Sequence, residues 1–338
     1  MKLTQLFVIS LAFTLGFATA SEAEKDYSDF TGTAWANGLF ENEDGEMEGW
    51  YDINKKSNID GDADDNMCYA ASAVNLIAWW QNGEYGKNLT SSAPKKLNDI
   101  WNTYVSAATS AGEEMWEEGG ESLSAINWWI SGIYSPNLDN EKELARYYED
   151  ASVLGPQSLP PVTLPGMTGF NGHNGYYYDE YGLTQQDLAA FMESEVWSYG
   201  EPFEINFAEM LEDDAGISLT ISAGSEGDLH VITLWGAEYE DGELVSLWLT
   251  DSDDYYLPEN ENPEDPRLFN VEVELTTGEK GDQILFKNYY AGDGYYIDSV
   301  YVMNASASAN WRLVPEPTTT TLSLLALAGL AARRRRRK

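Results

Sequence analysis

The chain has one cysteine and two histidines, so any thiol or imidazole chemistry it performs passes through very few side chains. Cys68 lies in DDNMCYAASAVNLIAWWQ, residues 64–81, where Ala70, Ala71, Val74, Ile77 and Ala78 have the i, i+3, i+4 spacing of a helix with one deeply buried face. The helix starts at or just before the cysteine, with Asn66 or Asp65 expected to cap its free N–H groups. In that first turn the macrodipole favours a thiolate, and a pKa lowered from roughly 8.5 makes a strong nucleophile where a base or cation is near. A lone helical cysteine is otherwise just a small buried apolar residue. His230 sits inside the strand run Leu229-His230-Val231-Ile232-Thr233-Leu234-Trp235, and Asp241-Gly242 after it is the signal of a two-residue hairpin turn. Ideal pairing about that turn sets His230 opposite Asp253, and side-chain alternation puts Asp251 and Asp253 on the face of His230, with Ser252 and Asp254 pointing away. A thiol, an imidazole and a carboxylate then supply nucleophile, base and orienting group.

The elements that must hold these groups follow from periodicity. Residues 95–134 read as helical, with Trp101, Tyr104 and Val105, then Leu123, Ile126, Trp129 and Ile130 at helical spacing and expected in the core. Residues 155–175, rich in Pro and Gly, read as a surface loop carrying a solvated His173. Thr184-Gln185-Gln186-Asp187 resembles a capping box, so a helix is expected from there to about Trp197. Runs at 217–222, 229–235, 244–250, 269–275, 284–289 and 295–302 are rich in β-branched and aromatic residues between Gly, Asp and Asn, and read as strands. Helices first and an antiparallel sheet afterwards is an α+β pattern.

The ends of the chain are of another kind. MKLTQLFVISLAFTLGFATA, residues 1–20, has a basic residue, an apolar run and Ala18-Thr19-Ala20, the pattern of a cleaved secretory signal. An exported chain with one cysteine cannot form an internal disulfide, and its thiol is more simply explained by use. Val314-Pro315-Glu316-Pro317, four threonines, an apolar run from Leu322 to Ala332 and Arg333 to Lys338 complete the chain. That apolar run is shorter than a membrane span, though the basic end would hold it transiently at an inner face. The net charge is -38, and with Lys2, Glu316 and the basic end set aside residues 21–313 carry 12 basic against 56 acidic residues. Such a body disfavours nucleic acid and anionic membrane surfaces as partners and is otherwise read as solubility. Asp60-Gly61-Asp62-Ala63-Asp64 has the alternate acids of a calcium loop but has Asp65 and Ala71 where that loop needs glycine and glutamate.

Several of these motifs together resemble a known family. GWYDINK at 49–55, DDNMCYAA with Trp79-Trp80, HVITLWGA at 230–237 and LTDSD at 249–253 are similar to the immunoglobulin-degrading cysteine endopeptidases of the IdeS/Mac type. The resemblance implies a papain-like fold, with an N-terminal helical part holding the nucleophile helix and a C-terminal antiparallel sheet. It implies a protein or peptide substrate and no cofactor, Cys68 as nucleophile, His230 as base, Asp251 as the orienting acid with Asp253 beside it, and Lys55 at the oxyanion, with Lys56 a rival. The tail resembles the PEP-CTERM sorting signals of Gram-negative bacteria, which implies sorting machinery as a partner and a secreted or surface location. The expected organisation is a signal at 1–20, an acidic segment at 21–48, a peptidase domain at 49–313 and the sorting tail at 314–338. An acyl transferase of the transglutaminase type, with the same order of residues, and an inactive acidic matrix protein on the same fold are the rival readings.

Overall fold

Each expected strand run contains a strand, the one at 284–289 ending at Phe286, and their pairing decides the architecture. In the computed structural model, which describes residues 27–55, 64, 66–86, 96–111, 120–131, 185–193, 195–223, 229–254, 266–278, 281–292 and 294–313, short strands β1 (Gly32–Trp35), β2 (Phe40–Glu41) and β3 (Met47–Glu48) come first. After the helices and β4 (Glu195–Ser198) come β5 (Ala215–Ala223), β6 (Leu229–Glu240), β7 (Glu243–Thr250), β8 (Phe269–Gly278), β9 (Gly281–Phe286) and β10 (Tyr295–Asn304). These last six pair antiparallel in the order β5, β6, β7, β8, β9, β10, and β10 returns to β5, so the sheet closes on itself. β1 adds to the far half of β6, and β4 to the free edge of β10.

The protein is thus mostly a closed six-strand antiparallel barrel with few helices, which corrects the expected papain-like α+β fold. The reason lies in long-range pairing: hairpins join neighbours in sequence, but the β5 to β10 ladder joins segments far apart, and no local pattern specifies it. The segment before Gly49 also contributes structure, since β1 pairs with β6 from Gly32↔Tyr239 to Trp35↔Gly236.

Strand β5 shows how the barrel receives its helices. Ile217, Leu219 and Ile221 alternate with Gly216, Ser218, Thr220 and Ser222, and nearly the whole strand is buried. Ser218 meets Ser122 of α3 (Ser122–Ser131), and Gly216 lies under Leu76 and Trp79 of α1 (Cys68–Asn82). The small residues therefore face the helices and the branched ones face into the ring, where the register pairs Ile217 with Leu234 and Leu219 with Ile232. Helix α2 (Leu97–Ala111) packs on α1, and Tyr104 from it stacks on Trp129 and meets Trp128 edge-on. The region expected to be helical from 95 to 134 is two helices, α2 and α3. Helix α4 (Gln185–Phe191) ends well short of Trp197, because residues 195–198 instead pair with β10 and bury Trp197; the expected cap at Thr184 lies outside the described residues. The loop at 155–175 with His173 also lies outside them.

Helix α1 has no solvent face. Every residue from Tyr69 to Gln81 is buried, so the expected single apolar face is replaced by contact with α2, α3 and the sheet on all sides. Polar side chains on such a helix must find partners. Ser72 donates to the Ile232 carbonyl, Thr233 donates to Ser72, and Asn75 accepts from the Ile53 amide at 3.0 Å and donates to Thr233 at 3.3 Å. These bonds fix where the start of α1 sits along β6.

The β6–β7 turn is the expected Asp241-Gly242, with both residues at positive φ (48° and 82°) as a type I′ turn requires. A Cβ at Gly242 would also stand 1.9 Å from the Ser28 carbonyl oxygen. Gly242→Ala is therefore expected to lower stability by about 1 to 3 kcal/mol, read from urea unfolding, whereas Asp241→Asn should be close to neutral.

Candidate functional site

The register of β6 and β7 contains two irregularities that cancel. The ladder starts at Glu240↔Glu243, slips by one between Tyr239 and Glu238, and slips back between Gly236 and Leu234, so that Thr233 faces Thr250 as in an unbulged hairpin. Pairing stops at Thr250, where the chain turns back on itself with the Asp254 amide donating to the Asp251 carbonyl. Leaving the ladder there, rather than a single bulge, is what brings Asp251 to the imidazole. His230 Nε2 lies 2.6 Å from Asp251 Oδ1, and Nδ1 lies 3.7 Å from Asp253 Oδ2. Both carboxylates thus reach one imidazole, as alternation predicts, and the in-line bond goes to the diagonal partner.

Cys68 is the first residue of α1, as expected. The expected side-chain cap is not made by Asn66: the cap position falls one residue later, on the fully buried Met67, which has no side-chain acceptor to offer, and Asp65 lies outside the described residues. The thiol is instead served from the barrel. It hydrogen-bonds to His230, takes a backbone N–H from Val231 and lies near Lys55. Burial alone would push its pKa up, but the His230 bond, then the His230 and Lys55 charges, outweigh burial and hold it below the ordinary thiol value. Burial would likewise lower His230, yet Asp251 and then Cys68 raise it well above the usual imidazole range. Both shifts favour the same pair, a thiolate beside an imidazolium.

Lys55 closes the group. Its amide donates to the Ser252 carbonyl at 3.0 Å, and its ammonium sits 2.9 Å from Asp253 Oδ1 with only 8% of the residue exposed. Burial lowers its pKa, but Asp253 and then Cys68 raise it further, so it is charged. Lys56 and most of the acidic run at 60–64 lie outside the described residues, as does any calcium geometry there. The structure therefore brings Lys55, Cys68, His230, Asp251 and Asp253 to one end of the barrel. Among the described residues His230, Asp251 and Asp253 offer ligand atoms within 4.8 Å of one another, but each Asp251 oxygen already takes two donors that a metal would have to displace.

Sequence reasoning missed Tyr289 and Tyr290, whose hydroxyls both donate to Asp251 Oδ2, with Tyr290 at 2.8 Å. They follow β9, and nothing in their spacing singles them out among 21 tyrosines. It also missed Asp52 and Asp254. Asp52 accepts from the Arg267 amide at 2.9 Å, and both acids are pushed upward, chiefly by burial and then, for Asp254, by the Asp251 charge.

A barrel that gathers a thiol, an imidazole, an ammonium and carboxylates at one end defines a class of protein only coarsely. Comparison with known proteins narrows it. Residues 33–106 match the family model described as Mac 1, and residues 313–337 match the PEP-CTERM protein-sorting motif. The chain is 25% identical over 239 residues to a protein named IgM protease from Streptococcus suis (strain P1/7), an alignment covering 61% of this chain but 18% of that protein's length. The similarity read from the motifs to IdeS/Mac-type proteases, and that of the tail to PEP-CTERM signals, are thus both found, and the tail match supports export to the cell surface or secretion in a Gram-negative bacterium. The Mac 1 match takes in Lys55 and Cys68, while His230 and Asp251 lie beyond it.

Asp254 offers a test of this electrostatic setting. Its carboxyl is pushed up to about 7 from 3.8, with Arg267 and Asn54 offsetting only part of the rise. A raised folded-state value means stability that is fully present below the unfolded value and is lost as pH climbs through 7. Asp254→Asn, which copies the neutral form, should leave stability unchanged near pH ~4 and raise it by about 1 to 2 kcal/mol at pH ~8, the full shift being reduced by solvent screening. Urea unfolding at both pH values measures the difference.

Proposed function

We propose that the protein is an exported cysteine endopeptidase in which Cys68 is the nucleophile, His230 the base and Asp251 its orienting acid. The observation that carries this reading is the continuous chain from the Cys68 thiol through the His230 ring to Asp251 Oδ1, with Lys55 alongside. The thiolate attacks the carbonyl carbon of a peptide bond, and the developing oxyanion is stabilised by the Lys55 ammonium. The imidazolium gives its proton to the leaving amine as the thioester forms. Neutral His230 then draws a proton from water, which attacks the thioester and releases the acid, restoring thiolate and imidazolium. Asp251 keeps the ring turned with Nε2 toward itself, so that Nδ1 is the nitrogen that moves protons.

The substrate class is protein or peptide, in keeping with the IgM protease similarity. The layout that goes with this function is a signal at 1–20, a peptidase body and a sorting tail at 314–338, which the export machinery processes after transient contact with the membrane. The body takes in residues 49–313 together with the β1 strand, because β1 extends the same sheet.

Cys68→Ala, or alkylation of Cys68, is expected to abolish hydrolysis of a peptide library while leaving the fold intact; activity surviving full modification by mass spectrometry would sink the mechanism. Asp251→Ala should lower kcat/KM by about 10² to 10³-fold, less than the ~10⁴ of a serine triad because the thiolate is already formed. Asp253→Ala should cost much less, because its main partner is Lys55 and not the in-line nitrogen. Plotted against pH, kcat/KM should rise at a pH below the ordinary thiol value and fall only above the ordinary imidazole range, matching the directions of the Cys68 and His230 shifts.

A further inference from the structure

Asp251 is completely withdrawn from water, and a carboxylate has about four lone-pair positions to satisfy. All of them are met, and by donors from three separate stretches of chain. His230 and the Asp253 amide, at 2.6 and 2.9 Å, share Oδ1. The hydroxyls of Tyr289 and Tyr290 share Oδ2. The first pair acts on the oxygen that faces the imidazole, and the second pair acts on the oxygen that faces away from it. A carboxylate held by only one oxygen can swing about its χ2 torsion, which is a soft and roughly two-fold rotation. Two hydroxyls converging on the far oxygen remove that freedom.

We infer that Tyr289 and Tyr290 form a two-hydroxyl clamp that positions Asp251 for His230, acting through the carboxylate and not on substrate. The clamp is itself held by the barrel. Tyr289 is 5% exposed, and its ring packs against Phe286 at the end of β9, Tyr295 at the start of β10, Phe269 at the start of β8 and Tyr290 beside it, at centroid distances of 4.8 to 6.4 Å. Three strands of the ring thus meet in one aromatic cluster, from which the Tyr289 and Tyr290 hydroxyls point at a single oxygen. Satisfying the two lone pairs of that oxygen needs two donors, and here both come from consecutive residues whose rings are fixed in the barrel, so the carboxylate's plane is held as well as its charge. The donors also limit the basicity of Asp251, which sits at about 2 through His230, Tyr289 and the Asp253 amide despite burial. The His230 charge does most to keep the carboxylate ionised, with Lys55 a second cation facing it and Asp52, Asp253 and Asp254 opposing; the tyrosine hydroxyls add donors without adding charge beside the imidazolium.

The inference rests on the reading of His230 and Asp251 as working partners, and its test is arranged to separate the two. Tyr289→Phe, Tyr290→Phe and the double variant keep the rings and remove the hydroxyls. The first measurement is the rate of iodoacetamide alkylation of Cys68 across pH, which needs no substrate. The double variant should move the alkylation midpoint upward toward the ordinary thiol value, because an imidazolium less firmly held stabilises the thiolate less. On a peptide substrate kcat should fall about tenfold at unchanged KM, short of the ~10²-fold that a 1 Å misplacement can cost. In an Asp251→Ala background the same hydroxyl removals should change neither quantity further. An unchanged alkylation profile with only a lower Tm overturns the clamp and leaves a structural role; equal losses with and without Asp251 overturn it too. Should the double variant not fold, the Tyr290→Phe variant, at a half-buried position, decides by the same profile. If the natural protein hydrolyses no peptide but the midpoint still shifts, the endopeptidase reading fails and the clamp stands.

Discussion

An ionised carboxylate removed from water is unfavourable unless hydrogen bonds replace solvent at every lone pair, and Asp251, at 0% exposure, meets that condition with four donors. Those donors come from β6, from the turn that carries Asp251 itself and from the segment joining β9 to β10. Barrel closure is what brings them together. The contact between β9 and β10 is a narrow one, Tyr296↔Leu285, yet without it the tyrosines would not stand over the turn after β7. The site therefore depends on a pairing that lies far from it in sequence.

Around this carboxylate the balance of charge is unusual for so acidic a chain. Asp52, Asp253 and Asp254 crowd the same region and are pushed up by burial first, with the Asp251 charge they share adding to it, while the opposing cations are Lys55, Arg267 and the His230 imidazolium. Lys55 and the imidazolium stand on the side of the thiol. An ammonium and an imidazolium there favour a thiolate, whereas the acids behind Asp251 favour the imidazolium, so the two sets of charges reinforce one proton arrangement. The thiol owes its position to a different kind of interaction. Ser72 and Asn75 tie α1 to Ile232 and Thr233 of β6, so the helix start and the histidine at the start of β6 are indexed to each other by polar bonds inside an otherwise apolar contact.

The Mac 1 similarity and the barrel divide the site between them. The matched stretch, residues 33–106, contains Lys55 and the whole of α1, while the imidazole and its carboxylate come from hairpin strands of the ring. Motifs around Cys68 and His230 were recognisable because each is local, a helix start and a strand end with its hairpin. The papain-like expectation attached to them did not survive, because a motif of a few residues states which groups meet and not how the surrounding strands are ordered.

By itself the sequence determined the six main strands, the helix starting at Cys68, the Asp241-Gly242 turn and the sharing of one face by His230, Asp251 and Asp253, all consequences of period, turn chemistry and alternation along neighbouring residues. Only the tertiary structure decided that the strands close into a ring, that α1 is buried on every side, that Asn66 does not cap it, and that Asp251 takes the in-line bond. It alone decided that Tyr289 and Tyr290 complete the carboxylate's shell. Each of these depends on contacts between residues tens to hundreds of positions apart, where periodicity carries no information and the cost of burying the Asp251 carboxylate favours the arrangement that gives it a donor at every lone pair.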